Sequence, residues 1–421
     1  MEPNIKALII ANSAFSRTSN NGKTYEVLFS AFKKENIAQL FFRPQRDDID
    51  WEYCSNYYMV SEVDLINRLL LRTKKCGRKI ESSECVKQQS RAYQVKSNSI
   101  KRNPLLRDML WKTNLWKTDE LRNWCKALNT NLIFFVGAGQ GFTYDIALYV
   151  AEYLNVPLAI YFTDDYLINP QCRTFSEKIQ RKRMQSFYTQ AINYAKLHFC
   201  IGKRMADAYS GYFKKPFRYI MNSAEIHPYQ PVSYNNKIQI SYFGGLHLER
   251  WKMIARFARL VPLHVAVHVY TFTPTDSDME RIFETNGVTL HKGLQGLELR
   301  KAMNNSHILL HVESDDAYYR SLTKLSISTK IPEYLMQGRL VIGFGPTEVA
   351  SLRLLSDNKI GIVLSSSDND DNLRVQLEKL LSDTELMTET GKAAYTYAIT
   401  NFNKEKIAND FYQQLCSITN A

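Results

Sequence analysis

The segment Ser328-Thr329-Lys330-Ile331-Pro332-Glu333-Tyr334-Leu335 collects two hydroxyls, a lysine and a carboxylate in one short stretch. Read as a helix start, Ser328 caps the first turn and Ile331–Leu335 follow it. Lys330 then stands where the helix dipole disfavours a bare cation and attracts an anion. A lysine at that place fits a bound phosphate. Glu333 reaches the same ligand and suits ribose hydroxyls. The plainer alternative is a capped helix with a Lys–Glu surface pair, worth about 0.2–0.5 kcal/mol. A second stretch of this kind is Gly244-Gly245-Leu246-His247-Leu248-Glu249-Arg250. Its glycines allow close backbone approach, the helix after them offers free N–H groups to an anion, and Arg250 can fork onto a phosphate. A plain tight turn explains the same residues.

Other candidates follow apolar runs. Asp164 and Asp165 come directly after Pro157–Phe162. Carboxylates at a strand's carboxyl end can act as a base, hold a metal or cap the next turn. Gly343-Phe344-Gly345-Pro346 reads as a turn after a buried strand, with Gly345 as a wall for a sugar or base. Gly137-Ala138-Gly139-Gln140-Gly141 has G-x-G-x-G spacing, not G-x-G-x-x-G, which argues against an NAD site. The chain has no H-E-x-x-H, no G-x-x-x-x-G-K-[ST] and no G-x-S-x-G. Zinc proteases, P-loop enzymes and α/β-hydrolases therefore have no support.

The elements that must position these residues alternate short apolar runs with amphipathic stretches, the signature of an α/β chain with parallel sheets. In the first part, strands are expected at Lys6–Ala11, up to Phe41–Phe42, Leu132–Val136, Pro157–Phe162, His198–Ile201 and Tyr219–Met221, and helices at Ser19–Phe32, Asp145–Leu154 and Phe175–Ala195. Asn222–Lys237 is polar, carries Pro228 and Pro231, and reads as a linker. A second α/β series follows, with strands at Ile238–Phe243, Val265–Thr271, Val288–His291, His307–Val312, Leu340–Gly343 and Ile360–Val363. The expected division is 1–225, 226–400 and a final helix 401–421 that packs back on the first domain, with a basic insertion at 68–117. The fold class expected is α/β, two doubly wound Rossmann-like domains facing a central cleft.

Of 421 residues, 45% are hydrophobic and 23% charged, which excludes a collagenous or wholly disordered chain. The longest apolar runs, such as Leu132–Val136, fall far short of the ~20 residues of a membrane-spanning helix. The start MEPNIKALII has no basic n-region and no cleavage site, so no signal peptide is expected. The seven cysteines are scattered without a C-x-x-C pair, which points to a reducing cytoplasmic compartment and to no zinc site. Net charge is +12, of which +11 falls between Arg68 and Lys117, where 14 Lys or Arg stand against three acids. A basic block of this kind suits an anionic surface, although a solvated loop and helix is the plainer reading. Within it, Asn103–Lys117 reads as an amphipathic helix. Leu105, Leu106, Met109, Leu110 and Trp116 share one arc, Arg107, Lys112 and Lys117 flank it, and Trp111 lies elsewhere. Aromatic plus basic residues in that pattern suit a membrane interface, with packing on the domain's own core as the alternative. Aromatic platforms or a groove-reading helix are lacking, so no nucleic acid is expected.

The residues resemble the retaining glycosyltransferases of the GT-B fold, often called glycosyl transferases group 1. The match covers roughly Ile238–Phe402: Tyr242–Arg250, ILLHVES (Ile308–Ser314), and SISTKIPEYLMQGRLVIGFGP ending in Gly338–Pro346. That last run is similar to a bacterial polysaccharide-synthesis branch. The amino-terminal match is weaker and rests on SNNGKTYEVLF with Gly22. The resemblance implies a nucleotide-sugar donor, UDP- or GDP-sugar, held by the second domain, and no separate cofactor or metal. Arg250 and Lys330 would contact its diphosphate, Glu333 its ribose, and Ser328 and Thr329 would add donors. Gly244 and Gly245 would border the donor, and Gly22 would let a first-domain loop approach the reacting sugar. Asp164 is the acceptor-side candidate. Many members carry two glutamates with seven residues between them; here the first position is Leu325, and Ser326 or a backbone group would stand in. The function implied is sugar transfer with retention to a lipid-linked acceptor in bacterial envelope or capsular polysaccharide synthesis. The protein would be cytoplasmic and peripheral on the inner face of the membrane. A non-catalytic GT-B-like scaffold and a GT-B nucleotide-sugar epimerase are the alternatives.

Overall fold

Parallel strands buried on both faces read as unbroken apolar runs, and ALIIA, LIFFVG, LAIYF, ILLHV and LVIGFG are all strands with every residue buried. The computed structural model describes residues 4–16, 20–44, 49–71, 75–81, 104–234 and 237–419, with the backbone alone described at 20, 21, 23 and 104–106. The chain divides into two compact units. The first comprises Met1–Ile168, Thr174–Ile220 and Glu405–Ala421; the second comprises Asn169–Arg173 and Met221–Lys404.

The first unit holds β1 (Ala7–Ala11), β2 (Ile37–Phe41), β3 (Asn56–Met59), β4 (Arg78–Ile80), β5 (Leu132–Gly137), β6 (Leu158–Phe162), β7 (Leu197–Cys200) and β8 (Arg218–Tyr219). Their order in the sheet is β4-β3-β2-β1-β5-β6-β7-β8. All neighbours pair in parallel except β3 and β4. The helices are α1 (Asn20–Phe29), α2 (Glu62–Leu71), α3 (Pro104–Lys112), α4 (Asp119–Ala127), α5 (Gly141–Leu154), α6 (Phe175–Tyr194) and α7 (Lys203–Phe213). β3, β4, α2, α4 and α7 are additions to the elements expected from sequence.

The second unit runs β9 (Gln239–Phe243), α8 (Arg250–Ala258), β10 (Ala266–Thr271), α9 (Ser277–Thr285), β11 (Val288–Lys292), α10 (Gly296–Asn305), β12 (Ile308–Val312), α11 (Ala317–Thr323), α12 (Lys330–Met336), β13 (Leu340–Gly345), α13 (Ala350–Asp357), β14 (Ile362–Ser365), α14 (Asp370–Ser382) and α15 (Thr384–Asn401). Its sheet is parallel throughout, in the order β11-β10-β9-β12-β13-β14. Apolar clusters cover both faces. One gathers Ile254, Phe257 and Leu377 from α8 and α14; the other gathers Ile331, Leu335, Leu352 and Ala394 from α12, α13 and α15. Each unit is thus doubly wound. Its strand order reverses between the first strand and its later neighbour, β1 with β5 and β9 with β12, and ligands of open α/β sheets gather at the carboxyl ends of such pairs.

The last helix, α16 (Lys404–Thr419), belongs almost wholly to the first unit. Its Phe411 is fully buried and meets Phe29, Phe134 and Phe199 with ring centroids 5.4, 5.2 and 5.7 Å away. Truncating a buried Phe costs about 3–5 kcal/mol in lost burial and cavity. Phe411→Ala is therefore expected to lower the denaturation midpoint of the first unit markedly, checked by urea unfolding; an unchanged midpoint would mean the helix is dispensable to that core.

Candidate functional site

The second unit's switch point places three chain segments together. β9 ends at Phe243 and gives way to Gly244 and Gly245; β12 ends at Val312 and gives way to Glu313; β13 ends at Gly345. Residues Leu248 and Glu249 both adopt left-handed φ, 61° and 58°, immediately before α8 begins at Arg250. Two consecutive non-glycine residues in that region are costly and persist only where the surroundings fix them. The strained turn aims Arg250 back at the strand ends.

Tyr334 fixes the lysine. Its hydroxyl accepts from Phe243 N at 2.8 Å and donates to Phe243 O at 3.1 Å, which locks α12 to the end of β9. Lys330 is one turn earlier on the same face of that helix. Its side chain therefore lies over Gly244, whose φ is 154° and whose missing Cβ would run into the Lys330 stem. Lys330 Nζ stands 5.7 Å from the Tyr242 ring centroid. Part of the residue is open to solvent, but its charged end is enclosed. Burial, and then the neighbouring Arg250, push its pKa down to about 8, although Glu333 and Glu313 both act to raise it.

Arg250 is mostly buried. Its Nη2 pairs with Glu313 Oε2 at 3.3 Å, its Nη1 donates to His247 Nε2 at 3.4 Å, and its enclosed Nε has no hydrogen-bond partner among the described residues. Burial opposes the guanidinium charge, but Glu313, Tyr242 and Tyr334 together outweigh it and raise the pKa. Glu313 is itself buried. Burial alone would raise its pKa, yet Arg250 and His311 hold it at about 2. His311 Nε2 lies 3.0 Å from Glu313 Oε1. An ionised carboxylate only accepts, so that nitrogen carries the proton. His247 is kept below its ordinary pKa by burial and by the two cations.

Of the residues marked from sequence, the second unit thus brings together Arg250, Lys330, Gly244, Glu333 and Gly345. Gly345 closes on Glu313, whose carbonyl would sit 2.8 Å from a Cβ placed there. It is the last residue of β13, so the turn expected from Gly343 begins only at Pro346. Gly245 faces the His247 ring. Ser328 does not cap the helix as expected. Thr329 is the N-cap residue and makes no side-chain cap bond, while Ser328 Oγ is 3.5 Å from Lys330 N. Ser328 N instead donates to Ser351 Oγ at 3.0 Å, which ties the segment to α13. Leu325 is buried, and Ser326 has an enclosed Oγ with no partner among the described residues. Glu313 and His311 were missed by the sequence reading. A glutamate directly after a strand's carboxyl end was the available signal.

Gly22 and Asp164 belong to the first unit. A Cβ on Gly22 would strike Ser16, whose Cβ would be 2.5 Å away. Asp164 Oδ2 accepts from Thr163 Oγ1 and from the Tyr166 hydroxyl, each at 3.2 Å. Its neighbour Asp165 is the structural carboxylate: Oδ1 accepts from Leu167 N at 3.0 Å, Ile168 N at 2.8 Å and the Tyr209 hydroxyl at 3.1 Å. Gly137, Gly139 and Gly141 each face an aromatic ring, of Phe162, Tyr166 and Phe187, which explains these glycines by packing.

The amphipathic helix expected over Asn103–Lys117 needs correction. α3 ends at Lys112, and Asn114, at φ 56°, turns the chain. Trp116 therefore leaves the expected arc. It is buried, with its indole N–H donating to Trp111 O at 3.2 Å, and so offers no membrane contact. Trp111 is buried too, stacked 3.9 Å from Phe142. Lys117 covers the Tyr149 ring at 4.6 Å. Met109 and Lys112 are exposed, Leu110 is half-buried, and the Leu106 side chain lies outside the described residues, as does half of the basic stretch 68–117. Exposed Leu69, Leu70 and Leu71 end the neighbouring α2. No described helix is long and apolar enough to cross a membrane, and among the described residues no three His, Cys, Asp or Glu side chains could hold a metal.

HepE of Anabaena, solved with UDP and glucose, is similar over 98% of this chain and 100% of that one, at 11% identity and a TM-score of 0.63. The chain has the GT-B fold. A mutant of S. aureus TarM, solved with fondaparinux, alpha-GlcNAc-glycerol and UDP, matches this GT-B chain over 97% of its length and 99% of the TarM chain, at 11% identity and a TM-score of 0.60. Another TarM structure matches 68% of this chain at 13% identity and a TM-score of 0.50, and here the chain spans 54% of the TarM length. No protein-family model matches the sequence, and no curated protein does.

Proposed function

We propose that the protein is a glycosyltransferase that moves a sugar from a nucleotide-sugar donor to a glycan acceptor. The carrying observation is Lys330: an enclosed ammonium over Gly244, beside a second buried cation, with its pKa pushed down to about 8. Glu313 balances Arg250, but the enclosed Lys330 charge beside that pair stays disfavoured without a further anion. A donor diphosphate is such an anion. The unpartnered Arg250 Nε–H also calls for an acceptor there. HepE and TarM, which share the fold, were solved with UDP, which supports a uridine or related nucleotide here.

In the reaction, the bond from the anomeric carbon to phosphate lengthens, the sugar takes on oxocarbenium character, and the diphosphate gains negative charge. Arg250 and Lys330 stabilise that charge more than the ground state, which lowers the barrier. Glu333 would accept from the ribose hydroxyls, and Gly244, Gly245, Ser328, Thr329 and Gly345 would border the donor. In a retaining front-face route the leaving phosphate takes the acceptor's proton, and no protein nucleophile is needed. Asp164 in the first unit would orient the acceptor. The first unit would then be the acceptor domain, the second the donor domain, and a lipid-linked glycan of envelope or capsule synthesis the acceptor. Thermal shift against UDP, GDP, CMP and their sugars tests the donor site, because ligand at ~100 times Kd adds about 2.7 kcal/mol. No shift with any of them would favour a scaffold without transfer, and donor turnover without acceptor would favour an epimerase.

The membrane part of the reading rests on Met109, 64% exposed, and Lys112 on α3, and on Leu70, 68% exposed, at the end of the neighbouring α2. Apolar side chains among lysines suit an anionic leaflet. Leu70→Glu with Met109→Glu is expected to shift the protein from the pellet to the supernatant in sedimentation with anionic vesicles; unchanged partition would remove this docking face.

A further inference from the structure

We infer that Glu313, steadied by His311, is the positioning residue for Arg250. This rests on reading Arg250 as a contact to the donor's diphosphate. A carboxylate beside an anion site would ordinarily weaken anion binding by repulsion. Here the geometry gives it a second task. Both its oxygens are engaged, Oε1 with His311 at 3.0 Å and Oε2 with Arg250 at 3.3 Å. Its backbone cannot shift, because its N–H donates to Phe344 O at 3.0 Å and Gly345, at φ 150°, closes against its carbonyl. His311 stands two residues earlier on the same face of the strand. The carboxylate is therefore a fixed post. Arg250 is held from two sides, by Glu313 at Nη2 and His247 at Nη1, and its enclosed Nε–H is left for the ligand. Glu313 thus orients the guanidinium while opposing the ligand's charge, and the two effects have opposite signs.

A double-mutant cycle separates them. The readout is the Kd of UDP, or of GDP where the wild-type chain binds GDP, measured by calorimetry on wild type, Glu313→Gln, Arg250→Gln and the double variant. Glutamine at 250 is too short to reach Glu313, so His311 remains as the partner of the carboxylate. In the wild-type background, Glu313→Gln is expected to weaken binding about tenfold, within the range of coupling for groups in one network. In the Arg250→Gln background the same change is expected to leave Kd unchanged or to tighten it, because only the repulsion remains to be removed. An equal loss in both backgrounds would overturn the inference and leave Glu313 a purely structural group. His311→Gln is the second variant, read if Glu313→Gln does not fold. It should weaken binding severalfold in wild type and have no effect with Arg250→Gln; wild-type affinity in this variant would also overturn the inference. If the wild-type chain binds neither nucleotide, the donor-site reading itself fails and this inference falls with it.

Discussion

Lys330→Ala is expected to abolish the nucleotide-induced thermal shift while leaving the free protein at least as stable as wild type. The two halves of that result have one cause. In the free chain the ammonium is enclosed next to Arg250, and its pKa of about 8 says that its charged form is disfavoured there. Alanine removes that cost. It also removes the stem that lies over Gly244, without opening the apolar core, since Tyr334 and not Lys330 anchors α12 to β9. Bound nucleotide reverses the balance. Losing one partner of a desolvated charge pair costs about 2–5 kcal/mol in binding, which is roughly 30- to 5,000-fold in Kd. At a nucleotide concentration ~100 times the wild-type Kd, a thousandfold weaker variant retains less than about 0.1 kcal/mol of ligand stabilisation. Calorimetric scans with and without UDP check both halves. A full shift in the variant would sink the assignment of Lys330 to the donor, and a collapsed apo transition would mean that the lysine is structural.

Nucleotide affinity is expected to fall about tenfold per pH unit above pH 8. Lys330 is the group in the site that titrates there. Glu313 is held at about 2, Tyr242 is pushed up to about 12 by burial, Tyr334 is raised well above its ordinary value by burial, Arg250 is raised, and His247 is lowered. The sign follows from the lysine's two states. Below pH 8 the ammonium is already charged and binding needs no proton. Above it, the free chain must take up a proton to bind the diphosphate. Kd then rises until the pH reaches the lysine's higher pKa in the complex. The stability of the free chain runs the other way. Its folded pKa lies below the ordinary lysine value, so between pH 8 and about 10.4 the unfolded chain binds more protons, and this group's contribution to stability increases with pH. Kd at a series of pH values, with proton uptake from calorimetry in two buffers, measures it. A flat profile to pH 9.5 would show that the lysine stays charged in the free chain.

The fold was legible where strands are buried on both faces. ALII, LIFFV, LAIYF and ILLHV need no partner to be recognised, because continuous apolar runs bounded by polar residues have few other uses. β3 was not, since NYYM mixes an amide with two tyrosines and reads as a polar loop. α2 escaped because its Leu69-Leu70-Leu71 end is exposed and breaks the usual amphipathic pattern. At the site, Lys330 and Arg250 were visible because a cation beside glycines and a helix start asks for an anion. Glu313 was invisible for a different reason: its partner Arg250 lies 63 residues away, and only the crossing between β9 and β12 brings them together. The Trp116 error came from extending one helical register through Asn114, whose left-handed conformation resets the phase.

The first unit contains the chain's last helix, and this bears on how the protein is made. Every residue of the second unit, Asn169–Arg173 and Met221–Lys404, leaves the ribosome before Glu405 does. Phe411 completes the cluster of Phe29, Phe134 and Phe199, so the first unit carries an open apolar seat until Phe411 has been made. Domains usually fold from the amino terminus as they emerge. Here the second unit has all its residues at Lys404, while the amino-terminal one still waits for its closing residue. A chain cut after Lys404 would hold every residue of the second unit joined to a first unit that lacks its closing helix, the form most exposed to chaperones and proteases.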